Sequence, residues 1–360
     1  MSLLHPRPSR AARRSGGIVA LALTAVIALT GCAAGNAPSD AGAKPAASGK
    51  AEQGAFPVTI EHALGTTVIE EEPERVVTLG WAAEDAVVAL GVIPVGVPTY
   101  GWGADEDGYL PWFRDAVEKT GAPLPVTLKA EERSGEVNFE QLLDLAPDVI
   151  LAPFSGITEE DYARLSDIAP TVGYAEQAWA SSWQELTTTV GQALGQPARA
   201  AEVVAETDAY VAEQAKQHPE FAGVSFAYGM GMADGSSELT LYFPSDPRVE
   251  IIEALGFTTP KSISDFAAKS DLSSSDSISL ELLDTIDDAD IFFAWAGSEE
   301  DKKRTLENPL VRDWKPVAAG KDLVLTDPSL VWATSSPTAL NIRWAIDELV
   351  PQLAEVVGRS

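Results

Sequence analysis

Five aromatic residues stand where strands of this chain are expected to finish or in the loops that follow: Trp81, Tyr100, Trp102, Trp295 and Trp332. Rings at such positions bury large areas against bulky, irregular ligands, and Trp N–H and Tyr O–H groups add a polar handle. The same rings would serve equally as core of the bodies that carry them. Ser155 and Tyr228 are further candidates near strand ends. Positive charge is scarce. Lys129 and Arg133 precede a helix opened by Asn138, and Arg343 lies on the last helix. A guanidinium offers an oxygen-rich ligand two parallel N–H donors. Whether Lys129 or Arg133 would make such a contact stays open. Glu140 and Glu281 each sit two residues after an expected cap, where a carboxylate complements the helix dipole. That effect explains one glutamate, but not the same residue at the same step in two halves of the chain.

Several chemistries are not indicated. The sequence has no Gly-x-Ser-x-Gly elbow, phosphate loop or metal-hydrolase motif. The run from Gly229 to Gly235 has the wrong spacing for a dinucleotide loop, and strand-like residues follow it, so it reads as a glycine-rich turn. Beyond the leader, only His62 and His218 offer imidazole, so neither a bare-metal site nor a resident cofactor is expected. The net charge is −29. Without Arg7, Arg10, Arg13 and Arg14 the chain keeps 21 basic against 54 acidic residues, a net −33. Nucleic acid and anionic membrane surfaces need a positive field and are excluded as partners.

The first residues form an export signal: a basic stretch, an apolar run from Ile18 to Leu29, then Leu29-Thr30-Gly31-Cys32. The run is short for a membrane span, which needs about 20 residues. Its end resembles a bacterial lipoprotein box, which implies that Cys32, the single cysteine, is acylated and becomes the new N-terminus. Residues 1–31 are then a signal peptide, and 32–55 an Ala/Gly/Ser/Pro-rich tether. The body would be lipid-anchored at the extracytoplasmic face of a cell membrane.

The elements that must position the candidate residues alternate strand and helix, which implies βαβ units and a largely parallel sheet. The centre of the chain is a helix expected over Pro197–Gln217. Pro197 suits its first position, and His218-Pro219 stops it. A shorter helix before it carries a Ser182/Glu185 capping box. Other expectations are a helix capped by Ser279 and a last helix from Pro337 to Val350. The halves on either side echo one another. Ala89-Leu90-Gly91 matches Ala254-Leu255-Gly256, the segment from Asn138 to Asp144 matches Ser279 to Asp284, and Asp148-Val149-Ile150 matches Asp290-Ile291-Phe292. The fold class is α/β: two Rossmann-like lobes, 56–178 and 219–360, joined through helices in 179–218 with a ligand crevice between them.

The sequence resembles the substrate-binding lipoproteins of ABC importers that take up ferric siderophores, vitamin B12 and haem. The resemblance rests on Pro73-Glu74-Arg75-Val76-Val77, the segment from Ala89 to Val97, Asn138-Phe139-Glu140, Ile168-Ala169-Pro170-Thr171-Val172, Asp246-Pro247-Arg248-Val249, and Ser336-Pro337-Thr338-Ala339-Leu340 with Trp344-Ala345-Ile346-Asp347. It implies the class III periplasmic-binding-protein architecture, with one rigid connecting helix and little closure on binding. It also implies that Glu140 and Glu281 dock to an ABC importer permease, and that the segment of Lys129 and Arg133 and the loop beside Arg343 touch ligand. The expected protein is a monomeric, non-enzymatic receptor. A ferric hydroxamate suits the negative chain better than an anionic tricatecholate. Haem or cobalamin is the alternative ligand within the family, and a lipid-anchored surface hydrolase with paired carboxylates is the alternative of another class.

Overall fold

A computed structural model describes residues 49–129 and 137–359. The expected signal peptide, Cys32, most of the tether and Arg133 lie outside the described residues. The chain opens with an antiparallel hairpin, β1 (Val58–His62) and β2 (Gly65–Ile69). Strand and helix then alternate through β3 (Val76–Thr78), α1 (Ala83–Ala89), β4 (Gly96–Pro98), α2 (Pro111–Thr120), β5 (Val126–Leu128), α3 (Phe139–Leu145), β6 (Val149–Leu151), α4 (Glu159–Ser166) and β7 (Thr171–Val172). The strands from β3 onward form one parallel sheet in the order β5-β4-β3-β6-β7. Both β3 and β6 are buried along their whole length, the reason they read as unbroken apolar runs. Asp148 pins their lower ends together: its carboxylate accepts the Glu74 and Arg75 N–H groups at 2.8 and 2.9 Å.

Two helices lead to the second lobe, α5 (Trp183–Ala193) and α6 (Pro197–Gln217). The Ser182/Glu185 capping box opens α5, and Pro197 stands at the start of α6 as expected. The second lobe contains β8 (Phe226–Met230), β9 (Glu238–Tyr242), α7 (Pro247–Ala254), α8 (Lys261–Ala267), β10 (Ser275–Ser279), β11 (Ile291–Trp295), α9 (Glu299–Glu307), α10 (Pro309–Arg312), α11 (Lys315–Ala318), β12 (Asp322–Leu325), α12 (Pro328–Ser335) and α13 (Asn341–Gly358). Its sheet runs β10-β9-β8-β11-β12. With each lobe's strands counted from its own first sheet strand, both orders are 3-2-1-4-5, which is the repetition the sequence echoes pointed to.

Three expectations need correction. The second sheet is mixed, because β9 runs antiparallel to both β8 and β10. The segment between Met230 and Glu238 forms a turn with no helix in it, and a parallel neighbour would require a crossover. Ser279 ends β10 rather than capping a helix, and the following 3-10 turn, Leu280–Thr285, has no side-chain cap. The last helix, α13, starts at Asn341 rather than Pro337 and runs on to Gly358, and a further helix stands before it: Asp327 caps α12 with Pro328 at its first turn, and Pro337 lies in the break between the two. Three apolar clusters pack on the two sheets, while a fourth joins the lobes, running from Leu110 and Phe113 through Leu330 and Val331 to Phe293 and Ile342.

Candidate ligand site

In each sheet the strand order reverses between the first and fourth strands, and ligands of open α/β sheets favour the crevice beyond the carboxyl ends at that point. Trp81 follows β3 and Phe154 follows β6, flanking the reversal in the first lobe. Trp295 closes β11 in the second. Gly80 makes the first arrangement possible. Its φ is +80°, and a Cβ there would fall 2.3 Å from the Phe154 carbonyl oxygen. The bare backbone lets the Trp81 N–H reach that same oxygen at 3.0 Å.

Rings from the two lobes meet across the gap. The Trp81 and Trp332 centroids lie 4.9 Å apart, edge to face. Tyr100 also meets Trp332 edge to face, at 5.4 Å, and Trp102 meets Trp295 at 6.2 Å. Trp179, 42% exposed, extends the wall by packing on Trp81 at 5.0 Å and on Phe154 at 5.6 Å. The loop of Trp102 is held to the second lobe by the Ser329 hydroxyl, which donates to the Gly103 carbonyl at 2.7 Å. All five aromatics singled out in the sequence are thus brought together. Trp332 belongs to α12, however, rather than to a strand end.

Behind Trp295 stands the second lobe's polar group. The Trp295 N–H donates to the Tyr242 hydroxyl at 3.0 Å, and the Arg248 guanidinium lies 4.6 Å over the Tyr242 ring. Buried Asp246 holds Arg248 through Nη1, at 3.1 and 3.0 Å, while also capping α7. Arg248 Nε is buried without a hydrogen-bond partner among the described residues. Behind Tyr100, two carboxyl groups are 3% and 2% exposed: Glu84 and Asp85, in the first turn of α1. Tyr100 donates to Glu84 at 2.5 Å, and the Trp112 N–H and Thr338 hydroxyl donate to Asp85 at 2.8 and 2.7 Å. Burial, reinforced by neighbouring Asp85, pushes the Glu84 carboxyl well above its ordinary range. Burial raises Asp85 too, against the pull of its two donors.

Other sequence candidates fall elsewhere. Tyr228 is 1% exposed, a core ring 4.4 Å from Phe293. Ser155 is equally buried and donates to the Ala152 carbonyl. Neither is on the gap surface. Arg343 bridges α13 to α6, stacking 4.5 Å over Tyr210 and donating to the Glu206 carbonyl. Lys129 is exposed just past β5. Glu140 is exposed in the first turn of α3, and Glu281 is exposed on a hollow of about 420 Å³ shared with Asp284 and Leu310.

Residues 76–329 match the family described as periplasmic binding protein. The chain belongs to that family. Among its relatives, the Fe(3+)-citrate-binding protein YfmC of Bacillus subtilis is 30% identical, over 71% of this chain and 74% of its own. The probable siderophore-binding lipoprotein YfiY of the same organism is 27% identical, over 77% of this chain and 82% of its own. The crystal structure of Streptococcus pneumoniae PiaA in complex with ferrichrome superposes with a TM-score of 0.73 at 30% identity, covering 84% of this chain and 99% of that one. The class III architecture of these binding proteins is the one found here. Among the described residues of this periplasmic binding protein, no group of three or more His, Cys, Asp or Glu side chains could hold a metal ion, and no helix is long and apolar enough to cross a membrane.

Proposed function

We propose that this protein captures a ferric siderophore, of hydroxamate type, in the ring-lined gap and delivers it to an ABC importer permease. The observation that carries this reading is the meeting of Trp81, Tyr100 and Trp102 with Trp295 and Trp332 across the two strand-order reversals. Such a wall suits a bulky chelate that is apolar outside and oxygen-rich around its iron. Arg248, one ring behind Trp295 and with an Nε that has no partner among the described residues, is the guanidinium we assign to those oxygens. Lys129 and Arg133 remain the alternatives on the first lobe, and iron enters as cargo, with no resident cofactor. Because the rings of opposite lobes touch, the chelate enters by parting them. Each ring pair is worth about 0.5–1.5 kcal/mol, which the bound ligand must offset.

The ferrichrome named with PiaA supports the hydroxamate assignment. A binding rather than catalytic role is supported by the acidic pair nearest the rings: Glu84 and Asp85 are buried and engaged with Tyr100, Trp112 and Thr338, out of reach of a polymer. Cys32 would carry the lipid anchor at the extracytoplasmic face of the membrane, and exposed Glu140 and Glu281 would dock a monomer to the permease. Tryptophan quenching by ferrichrome, a ferric tricatecholate, ferric citrate, haem and cobalamin tests the assignment. Submicromolar quenching by ferrichrome is expected. Tight binding of the catecholate, haem or cobalamin with no ferrichrome response would overturn it.

A further inference from the structure

Glu84 and Asp85 play no part in the function proposed above, yet they sit directly behind the wall that performs it. Their oxygens are unequally served. Asp85 Oδ2 accepts two hydrogen bonds, from Trp112 and Thr338, and Glu84 Oε1 accepts one, from Tyr100. Glu84 Oε2 and Asp85 Oδ1 are buried with no partner among the described residues, and so is Trp332 Nε1. These groups line one cavity of about 10 Å³, together with Trp81 and Thr338. That is room for about one water molecule. Two ionised carboxylates in so dry a place are strongly disfavoured. Asp85, with two donors, is the better anion. A proton on Glu84 turns Oε2 from an orphaned acceptor into a donor, with Asp85 Oδ1 in the same cavity to accept.

Among the described residues no cation opposes this arrangement. On α2, Arg114 is spent on Asp105, Asp107 and Glu118, and Asp115 and Lys119 are exposed. On α5, Glu185 is taken up in its capping box. On α13, Arg343 turns to Tyr210 and Glu206, and Asp347 accepts from Tyr210. In the loop before α2, Asp105 and Asp107 face Arg114, Glu106 is exposed, and the Tyr109 hydroxyl donates to the Pro125 carbonyl. Helix α12 brings no charged residue. The group left to act on Glu84, besides Asp85, is Tyr100, whose own hydroxyl burial and Glu84 push upward, so it stays a donor.

We propose that Glu84 is a positioning residue for the ligand gap: as an uncharged acid it holds Tyr100 against Trp332, and loss of its proton loosens that wall. The link runs through contacts already described, Glu84 to Tyr100, Tyr100 to Trp332, and Trp332 to Trp81. A second charge beside Asp85 needs more water than this cavity holds, and Tyr100 and Trp332, which both line it, must part to admit more. The proposal rests on the reading of the gap as the ligand site.

The test uses the full chain, wild type and Glu84→Gln, titrated with ferrichrome between pH 6 and 9, alongside the tryptophan emission of the unliganded protein. Glu84 is pushed up to about 8. Wild-type affinity should therefore be about tenfold lower at pH 9 than at pH 6, whereas Glu84→Gln keeps the same affinity at both. Parallel pH profiles, or a Glu84→Gln protein equally weak at every pH, would overturn the proposal. The emission of the free wild type should step over the same range and stay flat in Glu84→Gln. This arm holds even if ferrichrome is not the ligand: absence of binding then counts against the proposed function, and absence of the step counts against Glu84. If Glu84→Gln does not fold, Tyr100→Phe serves. Removing the hydroxyl breaks the link from Glu84 to the ring, so the emission step should be lost in Tyr100→Phe, and a full-sized step there refutes the idea.

Discussion

Replacing Gly80 with alanine tests whether the close approach of β3 and β6 sets the ligand wall. Two costs arise, and they can be separated. The first is the backbone: φ at Gly80 is +80°, and an alanine in the left-handed region costs about 1–2 kcal/mol, partly offset by a stiffer unfolded chain. The second is contact, since the new Cβ would sit 2.3 Å from the Phe154 carbonyl oxygen and 2.6 Å from Ser155 Cβ. The strand ends must separate, which sacrifices the Trp81 N–H to Phe154 bond, and overpacking of this kind adds about 1–3 kcal/mol. Gly121 supplies the control. Its φ is +76°, but a Cβ there meets nothing within 4 Å. Gly121→Ala should cost about 1 kcal/mol and Gly80→Ala about 2–4 kcal/mol, read from urea midpoints at constant m. Because Trp81 moves with the backbone, Gly80→Ala should also weaken ferrichrome about two- to tenfold, the worth of one ring contact, and Gly121→Ala should not. Equal midpoints for the two variants, with ferrichrome affinity intact in both, would refute the reasoning.

Arg248→Ala removes a charge-assisted donor worth about 1.5–3 kcal/mol and should weaken ferrichrome roughly ten- to 150-fold in a fluorescence titration. Lysine should not rescue it, because the stack of the planar guanidinium on Tyr242 has no close ammonium counterpart, and Arg343→Ala should leave affinity unchanged. Alanine at both Glu140 and Glu281 should abolish siderophore uptake by cells while the purified protein binds as before; a matching loss of binding would show that these residues serve the fold or the gap instead. Stability should also respond to pH through Glu84. An acid whose folded pKa is raised binds a proton that the unfolded chain releases, so its contribution is full below the unfolded value near 4.5 and is lost as pH climbs toward about 8. The difference between wild type and Glu84→Gln in urea unfolding should therefore fall by at most about 1.4 kcal/mol per pH unit over that window. A flat difference would show that Glu84 titrates normally.

What the sequence disclosed, and what it hid, follows from the range of the forces involved. The limits of α6 are local chemistry, a proline that fits the first turn and a His-Pro pair that cannot continue, and they were readable to the residue. The same is true of the Asn138 cap and the Ser182/Glu185 box. The antiparallel β9 depends on what lies between two strands, and a glycine-rich stretch is silent about whether it turns or crosses over. Arg343 looked well placed from its neighbours in sequence, but the phase of α13 turns it to α6. Arg248 was visible only as part of a motif; its stack on Tyr242 and its tie to Asp246 belong to tertiary structure. Glu84 and Asp85 resemble the solvated acids of any helix start. Only the packing of α2 and the break before α13 over them reveals that they are buried. Trp179 and Phe154 join the gap through a loop whose path no periodicity encodes.

The two lobes share a strand order but not a mechanism of separation. A receptor that swings open needs lobes with independent cores, and here one apolar cluster passes from Leu110 and Phe113 into Leu330, Val331 and Phe293. Around that cluster the lobes are tied by Thr338 to Asp85 and by Ser329 to the Gly103 carbonyl. Prying the lobes apart as bodies would expose the cluster and break every tie at once. Parting the rings costs only a few edge contacts of about 1 kcal/mol each. The cheaper route is local: Trp332 and Trp102 move aside while the sheets stay where they are. The residues that govern affinity are then those that hold the rings, Gly80 behind Trp81 and Glu84 behind Tyr100, rather than those of the connecting helix.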